Sequence, residues 1–204
     1  MVVFDLDGTL TCVDSLWRYI HDAFGTWEQG KTAAQRYHNG EISYKEWAEM
    51  DSRFWAGAPL QKVKGVLEGI SYRRGAEEVV SRLKARGLKV VILSAGLSIL
   101  AEKAAKDLGA DLAIANELRT DDGLLTGEIE VRVAVNDKDK VVRQIASTFN
   151  IPLRDVALVG DRGQDLANEE CLKIAFMPKD EAARCQADFI VEKDYLTAIL
   201  QYLS

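Results

Sequence analysis

From Arg73 onward the chain alternates short apolar runs with amphipathic helices, and few architectures accommodate that alternation. Ala76 to Arg86 has helical apolar spacing and meets Gly87, a residue that ends helices easily. Leu88 to Leu93 then reads as a buried strand, Ile99 to Leu108 as a helix closed by Gly109, and Asp111 to Ala115 as another strand. Asn116 to Val133 carries a hairpin signal, two alternating segments around Asp121-Asp122-Gly123. Beyond it come a helix at Lys138 to Phe149, a strand at Val156 to Val159 and a short helix at Gln164 to Cys171. Leu172 to Phe176 and Asp188 to Val191 read as the last strands, and Tyr195 to Leu203 as a closing helix. Strands alternating with helices are joined by right-handed crossovers. The predicted fold is therefore α/β, a three-layer α/β/α Rossmann-like core around a mostly parallel sheet.

Residues 12 to 72 break the rhythm. They read as helical throughout and hold all four tryptophans, Trp17, Trp27, Trp47 and Trp55, together with both histidines. The expected organisation is a discontinuous core, 1–11 and 73–204, with a helical cap at 12–72 inserted after the first strand. Open α/β sheets bind ligands at the carboxyl edge of their strands, where such an insert acts as a lid. A chain of 204 residues is long enough for one core carrying such a subdomain.

A net charge of −6 argues against a nucleic acid or a membrane surface as partner. No apolar run approaches the roughly 20 residues of a membrane span, and no signal peptide precedes the first strand. Cys12, Cys171 and Cys185 are odd in number and irregular in spacing, which disfavours a disulfide framework or zinc site and makes a cytoplasmic location the expectation. His21 and His38 are too few for a histidine-rich metal site and argue against a Ser-His-Asp hydrolase.

Val2 to Phe4 is the first predicted strand, and it runs straight into Asp5-Leu6-Asp7-Gly8-Thr9. Positions i and i+2 of an extended segment share a side, so the two carboxylates fall close together. Like charges at the rim of an apolar core ask for a cation or a shared proton. A solvated acidic turn is the plainer alternative. Three further polar segments fall at the same sheet edge. Ser94-Ala95-Gly96 ends a strand and offers a hydroxyl and backbone N–H groups at a helix N-terminus, an anion site or simply an N-cap. Lys138 opens a helix where the dipole disfavours a cation, which implies a partner anion; Lys140 reads as a solvated charge. Asp161 ends the strand at Val156 to Val159, and Asp165 follows four residues later at a helix start, where one of the two is also explained as a cap.

In this order, the segments resemble a haloacid-dehalogenase superfamily phosphatase of the phosphoserine-phosphatase-like branch. The helical insert, the hairpin and Leu125-Thr126-Gly127 extend the likeness over nearly the whole chain. The resemblance implies that Asp5 is a nucleophile forming an aspartyl-phosphate, and that Asp7 is the acid-base partner. It further implies Mg2+ held by Asp5, the Asp7 carbonyl and Asp161, with Asp165 orienting a bound water or Lys138. Ser94, Ala95, Gly96 and Lys138 would hold phosphoryl oxygens, and Thr9 would orient the acid-base loop. The expected partner is a small phosphorylated metabolite; the oligomeric state is not legible. The branch's glutamate and arginine for the amino-acid end of phosphoserine fall near Asp14 and Asp51, with Arg53 close by, so phosphoserine is not favoured. Arg162 stands where the branch often has glycine, and reads as exposed. On the helix predicted for Ser43 to Trp55, Asp51 shares a face with Trp47, Phe54 and Trp55; it either rims an aromatic core paired to an arginine or lines the lid. The alternatives to a hydrolase are a phosphomutase with the same intermediate and, more remotely, a non-enzymatic phospho-receiver module.

Overall fold

The computed structural model describes residues 1–203. Its strands are β1 (Val2–Phe4), β2 (Val90–Leu97), β3 (Leu112–Asp121), β4 (Leu124–Glu130), β5 (Ala157–Gly160), β6 (Leu172–Phe176) and β7 (Phe189–Val191). They form one sheet in the order β4-β3-β2-β1-β5-β6-β7, parallel except for the β3–β4 hairpin. Alternation along the strands divides the core in two. Phe4, Ile92, Val159 and Phe176 pack on one face, and Val3, Val91, Leu158 and Ala175 on the other. Four helices follow β1 directly: α1 (Leu16–Phe24), α2 (Trp27–His38), α3 (Tyr44–Arg53) and α4 (Leu60–Glu68). The remaining helices are α5 (Ala76–Ala85), α6 (Ser98–Leu108), α7 (Lys138–Thr148) and α8 (Glu181–Gln186). The first face is covered by α5, α6 and the 3₁₀ segment Leu196–Tyr202; the second is covered by α7 and α8.

Because β1 pairs with β2 on one side and β5 on the other, the chain changes direction around the carboxyl end of β1, the position where open α/β sheets hold ligands. The four-helix insert leaves and returns there. Cys12 N–H donates to Ser71 O (3.1 Å) and Arg73 N–H to Leu10 O (2.7 Å), closing the excursion with an antiparallel bridge. The insert is tied down again at the hairpin tip, where Gly57 N–H donates to Leu125 O, Leu125 N–H to Ala58 O and Leu60 N–H to Gly123 O. The tip itself is an Asp-Gly turn, with Asp122 and Gly123 both at positive φ (44° and 77°), the geometry that matches strand twist.

Several expectations need correction. β2 runs past Leu93 to Leu97, so Ser94, Ala95 and Gly96 lie on the strand and α6 begins four residues beyond Ser94. A register irregularity between Leu93 and Leu97 shows where the small residues let the strand deform without ending. Asp111 to Ala115 and the hairpin's first arm are one strand, β3. No helix spans Gln164 to Cys171: Asp165 Oδ2 accepts from Arg162 N–H (3.0 Å) and Asn168 Oδ1 from Glu170 N–H (3.0 Å), local bonds that hold the segment in a 3₁₀ turn, Gly163–Asp165, and a loop. The closing segment is 3₁₀ rather than α. α8 was not expected; Asp180 caps it by accepting from Ala183 N–H (2.7 Å), a signal present in Asp180-Glu181.

Candidate active site

β1 ends at Phe4, one residue before Asp5, and the next turn is not extended: Asp7 lies in an irregular loop, Leu6–Leu10, and not on a strand. Gly8 takes φ +83° there, and a Cβ at this position would overlap Asp161 Oδ2 and Lys179 Nζ. The loop is braced from below, since Thr11 Oγ1 donates to Leu6 O (3.1 Å) and Arg73 Nη2 to Gly8 O (2.8 Å). Thr9 was expected to do this orienting. Its hydroxyl is buried with no hydrogen-bond partner, and it does not line the cavity.

Asp5, Asp161 and Asp165 are buried and each brings a carboxylate oxygen within 4.8 Å of the others. Lys138, at the start of α7, reaches across to donate to Asp5 Oδ1 and Asp165 Oδ1, both at 2.6 Å. Burial pulls the Lys138 ammonium down, but Asp165 and Asp5 outweigh it, and the group stays charged. This is the partner anion its place at a helix start implied. Burial pushes the Asp5 carboxyl well above its ordinary range, and the Asp165 charge adds to the effect. Burial likewise raises Asp161. It raises Asp7 to about 6, against the pull of Leu16 N–H, which donates to Asp7 Oδ2 (2.6 Å).

Lys179, on the loop after β6, is a site residue that the sequence reading missed. Its ammonium lies 2.8 Å from Asp161 Oδ2, outside hydrogen-bonding geometry, and donates to Asp14. Asp5, Asp7, Asp161 and Asp165 therefore face Lys138 and Lys179, four carboxylates against two ammonium groups. Asp161 Oδ2 and the buried Asp7 Oδ1 both lack a hydrogen-bond partner. Carboxylates that outnumber the ammonium groups, with oxygens that accept no hydrogen bond, fit a divalent cation, and hard oxygen donors suit that class of ion.

Ser94 is buried beside this cluster, and its Oγ accepts from Gly96 N–H (2.9 Å). The N–H groups of Ala95 and Gly96 therefore stand at a strand end and not at the foot of a helix, and one of them is already engaged. The carbonyl of Ala95 is crowded: Trp17 Nε1 (3.3 Å), Asn116 Nδ2 (2.9 Å) and the Tyr44 hydroxyl all donate to it. Asn116 Nδ2 also contacts the Tyr44 oxygen (3.0 Å) and Val133 O (3.0 Å), while its Oδ1 accepts from Arg132 and Val133 N–H (2.9 Å each). This fully satisfied amide joins the insert, the segment after the hairpin and the Ser94–Gly96 part of β2. Asn116 and Tyr44 carried no local sequence signal, because their partners are remote in the chain.

A cavity of about 250 Å³ gathers Asp5, Asp7, Asp14, Ser94, Ala95, Gly96, Lys138, Asp161, Arg162 and Asp165, with aromatic residues of the insert opposite. Arg162 is half-buried on its wall, where exposure was expected. Asp51 and Arg53 do not line it. Asp51 is 1% exposed, inside the insert, with its Oδ2 3.1 Å from His21 Nε2; it neither rims the core against an arginine nor reaches the cavity. Arg53 is exposed in a separate groove with Lys45, Glu49 and Arg119.

Known proteins place this arrangement. The chain is 32% identical to a phosphoserine phosphatase of Methanocaldococcus jannaschii, over 100% of this chain and 97% of that one. It is 30% identical to one of Campylobacter jejuni, over 100% and 99%. It spans 59% of a longer Archaeoglobus fulgidus relative, at 32% identity. A substrate-bound phosphoserine phosphatase structure superposes with a TM-score of 0.86, at 31% identity and covering 100% of this chain and 97% of that one. The family model for haloacid dehalogenase-like hydrolases matches residues 2–167, from the first strand through the Asp161–Asp165 loop, and the chain belongs to that family.

Proposed function

We propose that this chain is a Mg2+-dependent phosphatase that hydrolyses a small-molecule phosphomonoester through a phosphorylated Asp5. The observation that carries the reading is the pairing of two carboxylates in unequal surroundings within one cavity. Asp5 Oδ1 accepts directly from the Lys138 ammonium at 2.6 Å, whereas Asp7 accepts only from the Leu16 N–H and burial raises its pKa to about 6. The first suits a nucleophile, and the second suits a group that gives and takes a proton.

Asp5 attacks phosphorus, the bond to the leaving oxygen breaks, and the Asp7 proton passes to that oxygen. Asp7, now ionised, takes a proton from the attacking water as the acyl-phosphate is cleaved, which restores the Asp5 carboxylate and the Asp7 carboxylic acid and releases phosphate. Lys138 and the Ser94 hydroxyl supply positive charge and a donor to the non-transferring oxygens, since phosphoryl transfer rests mostly on positioning and electrostatics. A carboxylate approaching a phosphate dianion in a low-dielectric site meets repulsion of several kcal/mol. Asp5, the Asp7 carbonyl and Asp161 would hold Mg2+, which would supply positive charge against that repulsion; Asp165 keeps Lys138 in place. The insert at 12–72 acts as the cap that keeps bulk water from the site.

The sequence relatives named above support a phosphomonoesterase over the phosphomutase and receiver alternatives. The Asp7 carboxylate and the walled cavity argue the same way, since a receiver needs neither. The test is phosphate release from a metabolite panel, phosphoserine included, with Mg2+ and with chelator. Release that requires Mg2+ supports the reading; activity undiminished by chelation, or none with any ester, refutes it.

A further inference from the structure

The two sides of the cavity differ in chemistry. The phosphate side is carboxylates and ammonium groups. On the insert side stand Trp17, Tyr37, His38, Tyr44 and Trp47. Tyr37 and Trp47 stack at 4.9 Å and 12°, Trp17 tilts against Trp47 at 5.5 Å, and Tyr44 meets Trp47 edge-on at 5.5 Å. The polar tips of Trp17 and Tyr44 are spent on the Ala95 carbonyl, and His38 Nδ1 lies 2.7 Å from Ala34 O. Trp47 Nε1 is buried without a hydrogen-bond partner, and ring surface is most of what remains to meet a leaving group.

Charges on this side are few and occupied. Among the described residues, no lysine or arginine of the insert lines the cavity, and Asp14 is tied to Lys179. Lys138 already serves Asp5 and Asp165, which leaves Arg162, on the core side, as the cavity cation without an ion pair. A carboxylate pressed against these rings would lose its hydration without gaining a partner. A flat uncharged ring would lose little and gain dispersion and stacking.

Building on the phosphatase reading, we infer that the aromatic wall selects the leaving group: an alcohol that carries a planar, uncharged ring and no carboxylate. The α-amino carboxylate end of phosphoserine is the opposite kind of group. With the buried Asp51 facing His21 and Arg53 in another groove, the described residues of the insert bring no lysine or arginine to its carboxylate.

The experiment compares benzyl phosphate, phosphoserine and methyl phosphate with the Mg2+-loaded protein. All three release an aliphatic alcohol, so intrinsic reactivity differs little. The expected kcat/KM for benzyl phosphate is at least about tenfold above each of the others, equivalent to about 1.4 kcal/mol. Trp47→Leu is expected to lower the benzyl-to-methyl ratio at least about fivefold, a readout in which general losses cancel. Tyr37→Leu, at a half-buried position, tests the same ratio if the Trp47 variant does not fold. A kcat/KM for phosphoserine equal to or above that of benzyl phosphate overturns the inference while leaving the phosphatase intact. A loss of that phosphoserine activity in Arg162→Ala would then place the carboxylate on the core side. A benzyl-to-methyl ratio unmoved in both wall variants also overturns it. No release from any of the three removes the phosphatase reading itself.

Discussion

Two buried acid-base clusters flank the carboxyl edge of the sheet, and they are built on different principles. On the core side Lys138 bridges Asp5 and Asp165, with Asp7, Asp161 and Lys179 around them, and negative charge is left over. In the insert His21 faces Asp51, the His21 Nδ1 lies 2.8 Å from Thr26 Oγ1, and Trp55 Nε1 donates to the same hydroxyl (3.3 Å); one carboxylate meets one imidazole there, although Asp51 Oδ1 accepts no hydrogen bond. Gly30 leaves room for the imidazole, because a Cβ there would press into the ring. Residual charge facing a cavity marks chemistry. A single carboxylate matched to a single imidazole, away from the cavity, marks architecture.

Substitutions on the two sides should therefore fail differently. Asp5→Asn is expected to lower phosphate release by at least about a thousandfold with little change in Tm, since the nucleophile is lost and a buried charge with it. A fully active variant would break the assignment. Lys138→Met should cost about a hundredfold in kcat through lost charge stabilisation, and binding of Mg2+ measured by calorimetry should survive it. In the insert, Asp51→Ala leaves His21 buried without its partner; about 2–3 kcal/mol of unfolding free energy should be lost, read as Tm or denaturant midpoint. If instead KM rises with Tm unchanged, Asp51 belongs to the binding site and the contrast fails. Tyr44→Phe spans both regions. Removing its hydroxyl from Ala95 O and Asn116 should cost about 1 kcal/mol of stability and raise KM a fewfold, as the Ser94–Gly96 part of β2 loses one brace.

The smallest effect concerns pH. Burial holds the Asp51 carboxyl above its ordinary range, so the folded chain binds that proton more tightly than the unfolded one. The resulting stabilisation is full below the ordinary carboxylate value of about 4 and is lost as pH rises through the folded value. The stability of the parent chain relative to Asp51→Asn should accordingly decline over that interval, and a difference that grows with pH would contradict the burial argument.

The same division explains what was legible in the sequence. Asp5, Ser94, Lys138 and Asp161 stand at or beside ends of apolar strands or helix starts, where local pattern places a side chain at the sheet edge. Lys179 joins them only because β6 lies beside β5, and Asn116 because a hairpin returns past β2; those pairings are long-range. Thr9 and Thr11 look alike in sequence, and the backbone turn between them decides which hydroxyl finds Leu6 O. In the insert, the helices were readable from spacing and from the Ser43–Glu46 capping box, but which aromatic faced inward was not. That depended on His21 taking up Asp51, a contact between two helices.

The insert is fastened by the bridge at Thr11 and Tyr72, by the backbone bonds to the hairpin tip, and by Trp17 and Tyr44 on the Ala95 carbonyl. A plate held along those edges leaves one margin at the cavity, where Tyr37 and His38 stand. Under the proposed leaving-group preference, that margin is where a ring-bearing alcohol would pass, while phosphate needs far less width.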